Sequence, residues 1–138
     1  MLCCLAVQLQ EFAIGVTTRD PDRGPVPRGW NDINNDQYWY VSITFDICSA
    51  WHNDEWRELE PTELQWVLED PAGNTVGCQL SGTGELHPYY NGRDLGVAWE
   101  GLPTDQPLWG FVFIPDWTLE ANYVIPKGEA VWCDVCVM

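Results

Sequence analysis

The sequence predicts an all-β, single-domain antiparallel β-sandwich of about eight strands, with at most one short helical turn. Two patterns carry that prediction. The run Tyr38-Trp39-Tyr40-Val41-Ser42-Ile43-Thr44-Phe45-Asp46-Ile47 alternates, with Trp39, Val41, Ile43, Phe45 and Ile47 on one side and Tyr40, Ser42, Thr44 and Asp46 on the other. Successive side chains of a strand point to opposite faces, so this is a long central strand with one apolar and one mostly polar face. Elsewhere, short apolar runs are divided by Gly and Pro turns, and helical periodicity is almost absent.

In chain order, Leu5, Val7 and Leu9 alternate first, and then the apolar set changes parity to Phe12, Ile14 and Val16. A parity change within one strand predicts a β-bulge near Gln10-Glu11. Residues 18–36 read as a long polar loop punctuated by Asp20-Pro21, Gly24-Pro25, Pro27 and Gly29. After the central strand, Asn53 is placed to cap one helical turn through Arg57 and Glu58, stopped by Pro61. Leu64, Trp66 and Leu68 then alternate, Asp70-Pro71-Ala72-Gly73 has type I turn chemistry, and Thr75 to Leu80 returns to complete a hairpin.

A second irregular stretch holds Gly82, Gly84, Pro88, Asn91 and Gly92, and Leu95, Val97 and Trp99 alternate as a short strand. Leu108 to Ile114 is apolar on both faces, as a strand covered on both sides would be. Tyr123 to Ile125 and Ala130 to Val137 close the chain as strands around Pro126-Lys127-Gly128-Glu129.

At 138 residues the chain is long enough to bury a core without disulfide or metal staples. Its 46% hydrophobic and 13% aromatic content excludes a disordered acidic tail. Against 21 Asp and Glu stand 6 Lys and Arg, a net charge of -15. Such a field repels nucleic-acid phosphates and anionic membranes and draws in basic proteins. No apolar run approaches the length of a spanning helix. The start, Met1 to Val7, reads as a first strand rather than a signal peptide, which predicts a cytoplasmic protein, in the host cytoplasm if it is viral.

Alternation over Trp39 to Ile47, the segment Leu68-Glu69-Asp70-Pro71-Ala72-Gly73-Asn74, the run Gly110-Phe111-Val112-Phe113-Ile114-Pro115 and the closing strand together span roughly residues 37–137. In that order they resemble the immunoglobulin-like bacterial domains of the immunoprotective-antigen type. The resemblance implies a non-enzymatic binding fold and carries over no functional residue.

The densest charge cluster is Asp54, Glu55, Glu58, Glu60, Glu63, Glu69 and Asp70, opposed only by Arg57 and interleaved with Trp51 and Trp56. Carboxylates on a rigid scaffold can imitate a row of phosphates, and the two indoles offer anchors for a protein interface. These nine residues, Trp51, Asp54, Glu55, Trp56, Glu58, Glu60, Glu63, Glu69 and Asp70, are the predicted partner-binding site. Of the nine tryptophans, Trp39, Trp66, Trp99 and Trp109 fall on strand faces that suit a core; Trp30, Trp51, Trp56 and Trp117 lie in or beside loops.

Other chemistry finds less support. Cys133-Asp134-Val135-Cys136 has C-x-x-C spacing, but on a strand its two thiols point to opposite faces, and no helix follows to activate one. Cys3, Cys4, Cys48 and Cys78 read as thiols that pack as small hydrophobes. Asp32, Asn34 and Asp36 open like a calcium loop, yet position twelve is Ile43 rather than a glutamate. His52 and His87 sit in no nucleophile or zinc motif, and His52 reads as a surface partner of Asp54 and Glu55. No cofactor, metal or enzymatic activity is predicted. The expected function is non-enzymatic binding of a basic protein partner, as by an inhibitor that fills the basic groove of a nucleic-acid-handling protein (a DNA mimic of the phage anti-defence type). The alternatives are a carbohydrate-binding module using exposed tryptophans, marked by glycan-dependent fluorescence, and a structural subunit, marked by self-association.

Overall fold

The computed structural model describes residues 3–6, 12–43, 48–59, 75–113 and 130–133. Among them run β1 (Cys3–Ala6), β2 (Phe12–Thr17), α1 (Trp30–Ile33), β3 (Tyr38–Ile43), β4 (Cys48–His52) and β5 (Glu55–Glu58). They are followed by β6 (Thr75–Leu80), β7 (Leu86–Tyr90), β8 (Arg93–Asp94), β9 (Trp109–Phe113) and β10 (Ala130–Cys133). The strands form two antiparallel sheets, one ordered β1-β6-β7-β8 and the other β10-β9-β2-β3-β4-β5. This is the all-β sandwich that alternation predicts, and the one short helix among the described residues lies in the long loop before β3.

Between the sheets, Phe12, Ile14 and Val16 of β2, Val41 and Ile43 of β3 and Val112 of β9 meet Val76, Cys78, Leu80 and Leu86 of the smaller sheet. Each fully buried Ile or Leu here contributes about 2 kcal/mol by leaving water. Ala98 and Leu102, from the chain between β8 and β9, complete this layer.

The opposite face of the larger sheet is not the polar surface that Tyr40 and Ser42 lead one to expect. Tyr40 is 2% exposed and Ser42 6%. A second core of Ala13, Tyr38, Tyr40, Phe111 and Phe113 lies there, covered by Ile33 of α1 with Trp30 and Trp51 packed against it. The chain between β2 and β3 is therefore a lid over the sheet. Hydrogen bonds hold it in place. Thr18 N–H donates to the Gln37 carbonyl at 3.0 Å. The Arg19 guanidinium donates to the Tyr38 hydroxyl at 3.3 Å and to the Arg23 and Pro25 carbonyls. The Asp32 carboxylate accepts from Arg28 and Gly29 N–H at 3.0 and 3.1 Å, capping α1.

Several expectations need correction. The two alternating runs at the start are not one strand: β1 pairs with β6 in the smaller sheet and β2 with β3 and β9 in the larger, and Gln10-Glu11, where the bulge is expected, lie outside the described residues. Residues 53–58 are a hairpin, not a helical turn. Asn53 and Asp54 adopt φ of 48° and 67°, the left-handed pair that a two-residue type I′ turn requires. Leu95, Val97 and Trp99 form no strand: Gly96 at φ 96° breaks the run, Val97 stays exposed, and Trp99 makes only an isolated bridge to Leu86.

The strand β7 hides in the stretch read as irregular. Its Pro88 carbonyl accepts from Leu95 N–H at 2.9 Å, so the missing N–H faces the short β8 side and spares the β6 ladder. The predicted hairpin arm Leu64 to Glu69, its turn at Asp70 to Gly73, the strand Tyr123 to Ile125, and Trp66, Trp117 and Cys136 lie outside the described residues; β6 pairs with β1 and β7. Burial of Gly110 to Phe113 in β9 agrees with its apolar character on both faces.

Gly15 sits at the centre of β2 with no room for a side chain. A Cβ there would lie 2.6 Å from the Tyr40 Cα and 2.7 Å from its Cβ, and would also strike the Trp39 carbonyl. Gly15→Ala is expected to destabilise the protein by about 2 kcal/mol or more through overpacking, read as a lower urea midpoint; an unchanged midpoint would refute this account of the sheet.

Candidate protein-binding site

The β4–β5 hairpin gathers the predicted site residues that the structure describes. Register pairs Trp51 with Trp56, Ser49 with Glu58, Ala50 with Arg57 and His52 with Glu55. Directly opposed residues share a face, so Trp51, Trp56, Ser49 and Glu58 point one way and His52, Glu55, Ala50 and Arg57 the other.

On the first face the indoles of Trp51 and Trp56 stack at 5.9 Å and 19°. The row continues inward: Tyr40 lies 6.5 Å from Trp51 at 4°, Trp30 lies 6.3 Å from Tyr40, and Trp30 meets Phe113 edge-on at 5.2 Å. Trp51 Nε1 donates to Ser49 Oγ at 2.8 Å, which fixes its ring. Burial pushes the Tyr40 phenol pKa well up, so it stays neutral inside the row. Trp56, at the outer end, is 54% exposed.

The second face absorbs the histidine and the arginine. His52 stacks on Trp39 at 4.2 Å and 6° and meets Trp99 edge-on at 6.1 Å. Its Nδ1 lies 2.7 Å from the Tyr38 carbonyl, which can only accept, so Nδ1 carries a proton and donates. His52 is thus packed between aromatic rings with its Nδ1 spent on the Tyr38 carbonyl, and it is not the surface partner of Asp54 and Glu55. The Arg57 guanidinium sits 4.0 Å over the Trp99 ring. With Arg57 spent on an indole, Glu55 and Glu58 have no ion-pair partner among the described residues.

The turn of the hairpin is braced to the lid. Asp54 N–H donates to Asn34 Oδ1 at 2.7 Å, and Asn34 Nδ2 donates back to Asp54 Oδ1 at 3.1 Å. Asp32 and Asn34, read as calcium-like, are therefore employed as a helix cap and a brace. Among the described residues no group of three His, Cys, Asp or Glu is placed to hold a metal ion. Cys48 and Cys78 are buried, and the Cys78 thiol donates to the Gly15 carbonyl at 3.8 Å.

Of the nine predicted site residues, Trp51, Asp54, Glu55, Trp56 and Glu58 share this hairpin, whereas Glu60, Glu63, Glu69 and Asp70 lie outside the described residues. Sequence reading missed Trp30, Asn34 and Tyr40, which support the hairpin from behind. An available signal was Asn53-Asp54 between Trp51-His52 and Glu55-Trp56, a two-residue turn pair flanked by matching indoles.

A family model described as Neuralized matches residues 10–117, a span that contains the whole hairpin, the lid and the aromatic row. The chain belongs to the Neuralized family. Neuralized domains are protein-interaction domains, and the family is not an enzymatic one. No curated protein and no solved structure matches the chain. No helix among the described residues of this Neuralized domain is long and apolar enough to cross a membrane.

One further cluster braces the smaller sheet of the Neuralized fold. His87 Nδ1 lies 3.0 Å from Asp94 Oδ1, Gly96 N–H donates to the same oxygen at 2.8 Å, and Glu85 Oε1 is 3.6 Å from His87 Nε2. Partial burial opposes ionisation of Asp94, but the Gly96 N–H, His87 and the Tyr89 hydroxyl outweigh it and hold the carboxyl below its ordinary range.

The lid offers a pH test. Hydrogen bonds from Arg28 and Gly29 N–H hold the Asp32 pKa below its ordinary value. Asp32→Ala is expected to cost about 1 kcal/mol at neutral pH. That contribution is complete above the ordinary carboxylate pKa of about 3.9 and is lost as pH falls through the lower folded value. Urea midpoints of the parent and the variant should therefore differ at pH 7 and converge in acid; a constant gap would exclude the Asp32 carboxylate as the cause.

Proposed function

We propose that this Neuralized domain binds a basic segment of a partner protein on the β4–β5 hairpin. The observation that carries the proposal is Trp56, a half-exposed indole held by Trp51, Tyr40 and Trp30 and flanked by Glu55 and Glu58. An anchor already fixed by stacking loses little freedom when a partner covers it, so its buried area converts efficiently into affinity. The Glu55 and Glu58 carboxylates favour Lys or Arg on the partner, and an Arg over the indole adds a cation–π contact.

The charge of -15 supports steering toward a basic partner and away from nucleic acid itself. The narrower reading is an inhibitor in the cytoplasm that occupies the basic groove of a nucleic-acid-handling protein; it rests on that charge, and Glu60, Glu63, Glu69 and Asp70 extend the acidic run in sequence. The carbohydrate alternative loses support from Trp30 and Trp51, whose rings pack against the lid core and leave Trp56, among the described residues, as the indole open for stacking on a sugar.

Capture of partners from source lysate at low and high salt tests the proposal. A basic protein recovered at low salt should be lost at high salt, and Trp56→Ala should weaken its binding by at least tenfold while thermal unfolding stays cooperative. The double reversal Glu55→Lys with Glu58→Lys should do the same. Unchanged affinity in both variants would remove the hairpin as the site, and salt-independent binding to a glycan panel would replace the proposal with the carbohydrate reading.

A further inference from the structure

Among the described residues the β4–β5 hairpin is an edge of the larger sheet, and the pattern of its ladder says which backbone groups point outward. In a hairpin closed by a two-residue turn, the flanking residues His52 and Glu55 form a hydrogen-bonded pair, and such pairs alternate along the ladder. Leu59 N–H donating to the Cys48 carbonyl at 2.9 Å falls in the same phase. Glu55, Arg57 and Leu59 thus spend their backbone groups on β4, while Trp56 and Glu58 turn theirs to the far side. Among the described residues no strand pairs with that side, and all four residues of β5 are exposed.

We infer that this outward edge takes up an extended basic segment of the partner as an added strand, paired through the N–H and C=O groups of Trp56 and Glu58. The inference rests on the hairpin being the docking site and adds how the partner is held. The side chains that would read the incoming strand are already in phase with it. Trp56 and Glu58 share one face two residues apart, about 6.8 Å along the strand. An incoming strand presents its own side chains at that spacing, so a segment with cations at alternate positions sets one Arg on the open face of Trp56 and the next cation against Glu58. Main-chain bonds supply affinity and the two side chains supply selectivity.

Charge also explains why such an edge is tolerable. Exposed edges invite self-pairing, and carboxylates on the edge repel a second copy that carries -15. The same carboxylates attract a basic strand, so they exclude one partner and admit another. The other described edge of comparable exposure, β8, is only two residues long and cannot sustain a ladder.

The test uses the full chain and a capped peptide of alternating threonine and arginine, with two analogues N-methylated at either the arginines or the threonines. Charge and side chains are the same in all three, but each analogue loses the amide donors of one edge. The unmodified peptide should bind, one analogue should bind at least tenfold more weakly than the other, and the Trp56 and Glu58 amides should gain protection from hydrogen exchange. On the protein side, Glu58→Gln keeps the outward N–H and should cost only a few-fold, while Glu58→Pro removes it and should cost at least tenfold more than Glu58→Gln. Where Glu58→Pro does not fold, the methylated peptides on the unaltered chain decide.

Equal affinity of both analogues, with Trp56→Ala still disrupting binding, would overturn strand addition and leave the hairpin as the docking surface. A basic protein captured through the hairpin while the peptide fails to bind would likewise overturn strand addition alone. No binding of the peptide and no hairpin-dependent capture would remove both proposals.

Discussion

Gly15 lies between Tyr40 on β3 and Phe111 on β9, its register partners on either side in the larger sheet. Because it has no side chain, the two rings close over β2 to a centroid separation of 6.3 Å. Large aromatics flanking a strand glycine supply the cover that the glycine lacks. That closure makes a continuous apolar floor on the face that alternation would otherwise leave wet. Once the floor exists, Ile33 and Trp30 have something to bury against, and the chain between β2 and β3 becomes a lid instead of a loose loop. The lid in turn holds Asn34 against Asp54 and Trp30 against Tyr40, so the outer hairpin inherits its position from a missing Cβ two strands away.

The same chain of dependence explains what was legible in the sequence. The strands Tyr38 to Ile43 and Trp109 to Phe113 are readable within the runs Tyr38 to Ile47 and Leu108 to Ile114 because apolar patterning is local information; residues 44–47 and Ile114 lie outside the described residues. The second face of β3 was not readable, since Tyr40 and Ser42 look amphipathic until a distant segment covers them. The change of sheet between β1 and β2 is also a tertiary event: a parity change is compatible with a bulge or with a crossing, and it is pairing with β6 that puts β1 in the smaller sheet. A likeness of sheet pattern, such as that to immunoprotective-antigen-type domains, carries sandwich architecture and says nothing of a site.

Local chemistry misled in two places for identifiable reasons. Asn53 is a good helix cap in isolation, but Asn and Asp also tolerate left-handed φ, and the stacking of Trp51 on Trp56 selects the hairpin. Pro88 and the nearby glycines argue against a strand, yet a proline is harmless where its missing N–H faces a ladder only two residues long. In the candidate site, the acidic residues were visible as composition, whereas the division of labour among them was not. Asp54 is taken by Asn34, while Glu55 and Glu58, on opposite faces of one strand, have no ion-pair partner among the described residues.

That division follows from where the few cations go. Arg19 is bound to Tyr38 and to two carbonyls of the lid, Arg23 lies 3.7 Å from Asp20, and Arg57 lies over Trp99. In an even mixture of charges Arg57, set between Glu55 and Glu58 in sequence, would screen both. Arg57 points away from Glu58 and shares a face with Glu55, but there the partly buried Trp99 indole takes it, and exposed carboxylates gain little from a surface pair. A net negative charge spread over a surface steers weakly and without direction. Glu58 beside the half-exposed Trp56 on a strand edge gives that field a place to act, and this pair sets the spacing at which a basic chain would have to answer it.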